Sequence, residues 1–586
     1  MLDPRIYRAA FLPVLFALVL VGFSLRDQPR GVTTTLAPEA FDGDAAFRQL
    51  DRLATAAPQR EPGSAGDEAV ARTVEQGLRT SGFDVSVRRF DAQTSVGKRT
   101  VETVIGERTG FSSQRILVVA QRDAIGTGAR AQLSGTAALL ELARVLGSRT
   151  LNRTLVLASV SGGPAAAKEL AEHAGGEVDA VIVLGDLAGT RTVRPVVVPW
   201  ADGEAVAPLE LRRTVETAVA AETGAGAGRT RPFHQFTRLA FPLTLGLQGP
   251  FNGAGLPAVL LSVGGERPPA ADQPVSAERL TTFGRAALRS VSALDGAREL
   301  PAPEAYITIE RKLLPAGPIR LLAIALLLPV LLAAVDGFAR VRRRHEPVGR
   351  WLRWVGVCAL PFVLAVLLVR VMKLTGLLDA APSVGGTAFA PDAIPRDGTA
   401  LAALAAVFVL LVLGWFVLRP LVARLLGAVG DPASPGAAAA VLLVLCAVAI
   451  AVWIANPYAA LVLIPALHLW LLAIAPEVRL HPLAALALFA LGLVPPLLVA
   501  FAYARQFGLD PLELAWMGLL LVGGGSVGLV AALGWAIVLG CAGAVLAIIV
   551  RASGGGPAAE QHVTVRGPKT YAGPGSLGGT ESALRR

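Results

Sequence analysis

The chain is poor in the residues from which disulfide frameworks and soft metal centres are built, with 3 cysteines and 6 histidines among 586 residues. Cys358, Cys446 and Cys541 all fall inside apolar runs. None can staple a soluble domain or supply a cysteine-based zinc site. Charge is also scarce, at 17% of residues, and the formal net charge of +10 rests overwhelmingly on arginine. Nucleic-acid binding calls for a basic stripe interleaved with aromatics, and no such stripe is present. The densest basic cluster is Arg340, Arg342, Arg343, Arg344 and Arg350, wedged between two hydrophobic runs. That placement suits a cytoplasmic loop under the positive-inside rule, and no nucleic-acid partner is expected.

What the chain does have is apolar bulk. Hydrophobic residues make up 53% and the mean hydropathy is +0.56. The excess sits after Pro315, whereas residues 30–310 have an ordinary globular composition. Runs long enough to span a bilayer core occur at about 318–339, 351–372, 399–418, 436–455, 458–476, 482–503 and 526–550. An earlier run, Ala9 to Leu25, lies between Arg5/Arg8 and Arg26. It reads as an uncleaved signal anchor in preference to a cleaved signal peptide, since no small-x-small site follows it.

Eight spans place the Arg340–Arg353 loop, Arg419, Arg424, Arg479 and the tail (Arg551, Arg566, Lys569, Arg585, Arg586) on the cytoplasmic side. Lys373, Arg396 and Arg505 then fall outside, which matches the charge rule. Leu512 to Gly525 is a candidate for a ninth, short or re-entrant span. Within the spans, Asp336 lies near an end and His468 is the one clearly interior ionisable group. A packed, hydrogen-bonded His468 is preferred to a proton relay. Pro495-Pro496 is expected to kink its helix and Gly523-Gly524-Gly525 to interrupt another.

The soluble part alternates helix and strand. Helices are expected over Asp67–Leu78, over Ser134–Leu146 with Ser134 as N-cap, over Ala165–Ala174 and over Ala277–Leu294. Phe83–Phe90 alternates as a strand. Ile116–Ala120 is a short continuous apolar run of the kind buried in parallel sheets, Leu155–Val160 and Val178–Leu184 read as further buried strands, and Ala258–Ser262 as a later strand. The expected fold is a three-layer α/β domain with a mainly parallel sheet, joined to an all-α transmembrane bundle. The expected boundaries are a signal anchor over 1–29, an exported domain over 30–315, seven transmembrane helices over 316–551 and a disordered cytoplasmic tail over 552–586. Localisation in the plasma membrane follows, with residues 30–315 outside the cytoplasm.

Chemistry in such sheets collects at the carboxyl ends of the strands. Here those ends carry Gln121-Arg-Asp123, Ser159-Val-Ser161-Gly-Gly163, Gly185-Asp186-Leu-Ala-Gly189 and Val263-Gly-Gly-Glu266. Neither a nucleophile elbow nor a phosphate loop is present: Ser161-Gly-Gly163 lacks the Gly-x-Ser-x-Gly frame, and Val263-Gly-Gly265 lacks the lysine.

Four stretches resemble the family-28 metallopeptidases, the two-zinc aminopeptidases. They are Arg60-Glu-Pro-Gly-Ser-Ala-Gly66, Ile116-Leu-Val-Val-Ala-Gln-Arg-Asp123 followed by Leu133-Ser-Gly-Thr-Ala-Ala-Leu-Leu-Glu-Leu-Ala143, Gly185-Asp-Leu-Ala-Gly189 and Gly255-Leu-Pro-Ala-Val-Leu-Leu261. The likeness covers about residues 45–298. It implies two zinc ions sharing a bridging carboxylate, histidine and carboxylate ligands around them, and a glutamate as general base.

This chain departs from that pattern position by position. Gln121 stands where the resemblance implies the first histidine, and Asp123 where it implies the aspartate that orients it. Ala131 stands at the bridging aspartate, Gly163 at the acidic pair, and no histidine follows the Ala258–Ser262 strand. Asp186 alone matches a direct ligand. The domain's two histidines are His173, expected at a helix C-terminus, and His234, expected in a loop.

The sequence therefore predicts no catalytic residue, no metal site and no cofactor. The expected function is that of a non-catalytic exported module on a membrane bundle, binding a peptide or envelope component or acting as a scaffold. Two alternatives stand beside it: an active membrane-bound metallo-aminopeptidase with an unusual zinc set, and a carrier or channel with an accessory exported domain. The lipid bilayer is an expected partner in every case, and the oligomeric state is open.

Overall fold

The computed structural model describes residues 4–34, 38–94, 96–175, 177–378, 398–475, 477–478 and 480–553. Arg396, Arg479 and the tail from residue 554 lie outside the described residues.

The described residues hold ten strands: β1 (Arg26–Asp27), β2 (Asp84–Thr94), β3 (Gly97–Arg108), β4 (Ser112–Gln121), β5 (Arg153–Val160), β6 (Val178–Leu184), β7 (Val197–Val198), β8 (Ala258–Leu261), β9 (Tyr306–Ile309) and β10 (Lys312–Pro315). Seven form a mixed sheet in the order β2-β3-β5-β4-β6-β8-β7. Its centre, β5-β4-β6-β8, is parallel, and antiparallel pairings flank it. The central strands carry apolar residues on both faces because both faces are covered; all eight residues of β5 are buried.

One face is covered by helices Gly43–Ala56, Ala65–Thr80, Arg130–Leu146, Leu209–Thr223 and Ala277–Asp295, whose apolar residues share a core with Val118, Ala120, Leu157 and Ile182. The other face packs Leu117, Val119, Val156 and Ala158 against short helices Pro164–Glu172, Pro232–Ala240 and Gln248–Gly253. It also packs them against Tyr458, Val499, Tyr503 and Phe507 of the long apolar helices. The third layer is thus partly supplied by the helix bundle.

Several elements differ from the sequence expectation. The helix predicted to start at Ser134 begins at Arg130, with Ala129 as N-cap at φ 33°. Ser134 lies in its second turn, and its hydroxyl donates to the Ala131 carbonyl at 2.5 Å. His234 sits inside helix Pro232–Ala240, not in a loop. Glycines 523–525 end a helix instead of interrupting one, since Pro511–Gly524 stops at Gly525 in the left-handed region.

Among the described residues, seven helices are long and apolar enough to cross a membrane: Ala316–Arg343, Val348–Leu374, Gly398–Leu425, Pro435–Ala455, Pro457–Ile474, Pro482–Phe507 and Leu529–Ser553. Two shorter apolar helices, Tyr7–Phe23 and Pro511–Gly524, accompany them. Pro511–Gly524 follows the domain-facing end of Pro482–Phe507, and the chain then passes Arg370, whose Nη2 donates to the Val527 carbonyl at 2.7 Å. Helix Leu529–Ser553 starts near the domain as well, with Trp535 packed on Phe241 at 5.3 Å. Pro511–Gly524 therefore leaves and returns at one end of the bundle. His468 is hydrogen-bonded on both ring nitrogens, Nδ1 to the Tyr7 hydroxyl at 2.6 Å and Nε2 to the Leu326 carbonyl at 2.9 Å. Asp336 pairs with Arg340 at 2.6 Å.

A second sheet, β1-β10-β9, joins the two connections between domain and bundle. Arg26 and Asp27 pair with Leu313 and Lys312, and Lys312 Nζ reaches Asp27 at 2.8 Å. Below it, Val14 and Ala17 pack on Ala325. The domain also docks through side chains: Asn456 Nδ2 donates to the Leu239 carbonyl at 2.7 Å, and the Tyr503 hydroxyl donates to the Phe241 carbonyl.

Candidate functional site

The carboxyl ends of β4, β5 and β6 bring Gln121, Ser161 and Asp186 to one edge of the sheet. Helix Arg130–Leu146 approaches that edge closely. A Cβ at Gly135 would lie 2.5 Å from the Leu184 carbonyl oxygen, so only glycine fits there. Gln121, Gln132 and Asp186 share a cavity of about 50 Å³, room for ordered water.

Asp186 is committed to its own turn. Its Oδ1 accepts from Gly189 N at 2.7 Å, Ala188 N at 3.0 Å and Ser134 Oγ at 3.3 Å. A Cβ on Gly189 would sit 2.1 Å from Asp186 Oδ2, so Asp186 and Gly189 form one structural unit. Burial raises the Asp186 carboxyl above its ordinary range, partly offset by those hydrogen bonds.

The other positions implied by the family resemblance offer less. Gln121 Nε2 finds no hydrogen-bond partner among the described residues, and Ala131 is fully buried. Gly163 caps helix Pro164–Glu172 at φ 62°, ψ −131°, a conformation that glycine alone adopts without strain. An acidic side chain at 163 would require a different backbone there, not merely a different residue. His173 caps the end of Pro164–Glu172 and lies 3.2 Å from Glu169, away from the sheet edge. Among the described residues, no three His, Cys, Asp or Glu side chains converge on a point that could hold a metal ion. The donor set does not fit a two-zinc centre.

Beside this edge lies a buried ionic cluster that sequence reasoning missed. Arg122 Nε lies 2.8 Å from Asp67 Oδ1, and both side chains are at most 1% exposed. The guanidinium also donates to the Ser159 and Glu102 carbonyls at 2.8 and 2.6 Å. Asp67 Oδ2 accepts from Ser161 Oγ at 2.5 Å and from Gly63 N at 3.0 Å.

Arg60, fully buried, donates to the carbonyls of Ala57, Arg122, Gly128 and Ala129 at 2.7–3.3 Å, pinning the loop that follows β4. Burial lowers the Arg60 pKa to about 10 against the pull of Asp123 and Asp67. Asp123 is raised to about 7, first by burial and then by the Asp67 charge. The available signal was Arg122 itself. A cation immediately after the buried run Ile116–Ala120 must find a counter-charge inside the domain, and Asp67 heads the helix that packs there.

No protein-family model matches this chain, and no curated protein matches it in sequence. In structure the chain is similar to a glutaminyl cyclase of Porphyromonas gingivalis, with 18% identity over 43% of this chain and 99% of that one, TM-score 0.34. A zinc aminopeptidase of Bacillus subtilis shows 13% identity over 45% and 98%, TM-score 0.35. The LapA aminopeptidase of Legionella pneumophila shows 14% over 46% and 79%, TM-score 0.36. The structural neighbours of this chain are thus glutaminyl cyclases and zinc aminopeptidases.

Proposed function

We propose that this is a multi-pass plasma-membrane protein whose α/β domain lies outside the cytoplasm and works as a non-catalytic binding or scaffolding module, with the C-terminus in the cytoplasm. The observation that carries this reading is the commitment of Asp186. The one side chain at a direct-ligand position of the resembling family closes its own turn through Ala188 and Gly189. Two further features support it: the glycine-only backbone at Gly163, and buried Arg60 and Arg122 guanidinium groups that are taken up by backbone carbonyls and Asp67. The domain shares a core with the ends of the long helices through Tyr458, Tyr503 and Phe507, so occupancy by a peptide or envelope component would be felt by the bundle.

The test is metal content and peptidase activity of the purified full-length protein. Zinc well below one ion per chain after dialysis, with no release of amino acid from aminoacyl p-nitroanilides, is expected. Stoichiometric zinc, with activity abolished by Asp186→Ala, would make the protein a membrane-bound aminopeptidase instead.

A further inference from the structure

An unexplained feature lies where the domain meets the bundle, next to the sheet-edge cavity, with which it shares Gly265, Glu266 and Arg267. A cavity of about 750 Å³ opens between the loops around residues 194 and 229–231, helix Pro232–Ala240, the segment Gly264–Arg267 and the C-terminal turns of helix Pro482–Phe507. Six arginines line it (194, 229, 231, 238, 267 and 505) against a single carboxylate, Glu266. That carboxylate neutralises Arg238 and accepts from Thr244 Oγ1 at 2.6 Å, and Arg267 makes a contact of its own, so the charge of the cup rests on Arg194, Arg229, Arg231 and Arg505. The field inside is positive: His234 is held below its ordinary pKa by burial and then by Arg231, Arg238 and Arg505.

The other wall is apolar and continues out of the cavity. Val494, Leu498, Phe501 and Arg505 follow one another at spacings of four, three and four, so they share one face of the helix. Leu498 and Phe501 are 46% and 58% exposed. The Arg505 guanidinium lies 5.8 Å from the Phe501 ring, where stripe and cationic cup meet.

A cup of guanidinium groups is suited to phosphate oxygens, which they bind in forks. An apolar stripe leading from that cup along a bilayer-length helix is suited to a hydrocarbon chain. Basic pockets among membrane helices bind lipid head groups by this combination.

We infer that this junction is a binding site for an anionic phosphate-bearing lipid, its head group in the arginine cup and its chain along Val494, Leu498 and Phe501. The inference goes beyond the proposed function and shares with it only the placement of the long helices in a bilayer. It holds whether or not the sheet edge is catalytic.

The test uses full-length, delipidated protein in detergent and follows binding of dioctanoyl phosphatidylglycerol and dioctanoyl phosphatidylcholine by thermophoresis. Tighter binding of the anionic lipid, by about tenfold or more, is expected, with a comparable loss in Arg231→Gln/Arg505→Gln. Arg72→Gln, on an exposed helix face of the domain, is expected to leave binding unchanged. Should the double variant fail to fold, Arg505→Gln alone at the helix end carries the same expectation. Equal affinity for the two lipids, unaltered binding in the arginine variants, or binding of inorganic phosphate or hexaglutamate as tight as that of the lipid would overturn the assignment. Zinc content and peptidase activity have no bearing on any of these outcomes, so failure here is separable from failure of the proposed function.

Discussion

Replacing Asp67 by asparagine keeps the shape of the side chain and removes its charge from a site that is at most 1% exposed. Arg122 is then left buried at a former ion-pair distance of 2.8 Å, still held by the Ser159 and Glu102 carbonyls. Breaking a buried pair on one side costs about 3–5 kcal/mol. The lower end applies here, about 3 kcal/mol, because the Arg122 cation already favours the charged form of Asp123, which can take over part of the compensation. With a urea dependence of about 3 kcal/mol per molar for a domain of this size, the midpoint should fall by about 1 M.

Pulse proteolysis of the full-length protein in urea, scoring cleavage in the α/β domain, reads that shift. The same assay on Arg122→Met and on the double variant closes a cycle, and a coupling of about 2 kcal/mol is expected between residues in such contact. A midpoint within about 0.2 M of the parent, or strict additivity in the double variant, would refute the assignment of Asp67–Arg122 as the electrostatic anchor of this edge.

Three further outcomes follow from the same structure. Asp123, whose folded pKa is about 7 against an ordinary 3.8, favours the folded state fully below about pH 4 and loses that contribution as pH rises through 7. Asp123→Asn should flatten this slope, gaining up to about 3 kcal/mol at pH 8 relative to pH 4.5 in urea titrations at the two pH values. Asn456→Ala removes both the cap on Ala459 N at 2.8 Å and the bond to the Leu239 carbonyl. A loss of about 1 kcal/mol and faster hydrogen exchange over Pro232–Ala240 are expected. At Gly492 a Cβ would lie 2.4 Å from Trp470 Nε1, so Gly492→Ala must displace the indole from the Phe489 carbonyl. The expected cost is about 1–3 kcal/mol, with a changed tryptophan emission spectrum.

The parts of the fold visible in the amino-acid order are those in which a single physical demand dominates. Ile116–Ala120, Leu155–Val160 and Val178–Leu184 are covered on both faces and are apolar except for Ser159 and the paired Asp179. The long helices carry apolar runs of a length that could cross a bilayer. Strand β3 escaped because Gly97–Arg108 is exposed at its start and wholly buried later, which gives no clean alternation. The helix start at Arg130 was hidden behind Ala129, a left-handed non-glycine residue held in place by the Arg60 guanidinium on its carbonyl at 3.0 Å. No local pattern signals a tether 69 residues away in the chain. The same limit applies to the sheet edge. Gln121, Ala131 and Gly163 could be recognised as departures from a motif, whereas the Arg60–Asp67–Arg122–Ser161 cluster exists only once three separate segments meet.

The small sheet formed by β1, β9 and β10 has a mechanical consequence. Both tethers of the domain leave the bundle side by side and are stitched together by backbone pairing before the chain enters the globular part. A globule on one tether could swivel like a pendulum; this one is mounted like a lever on a fixed axle. Any rocking of helix Leu12–Phe23 against Ala316–Arg343 must therefore turn the whole α/β body with it, and a load on that body must strain the same two helices in return.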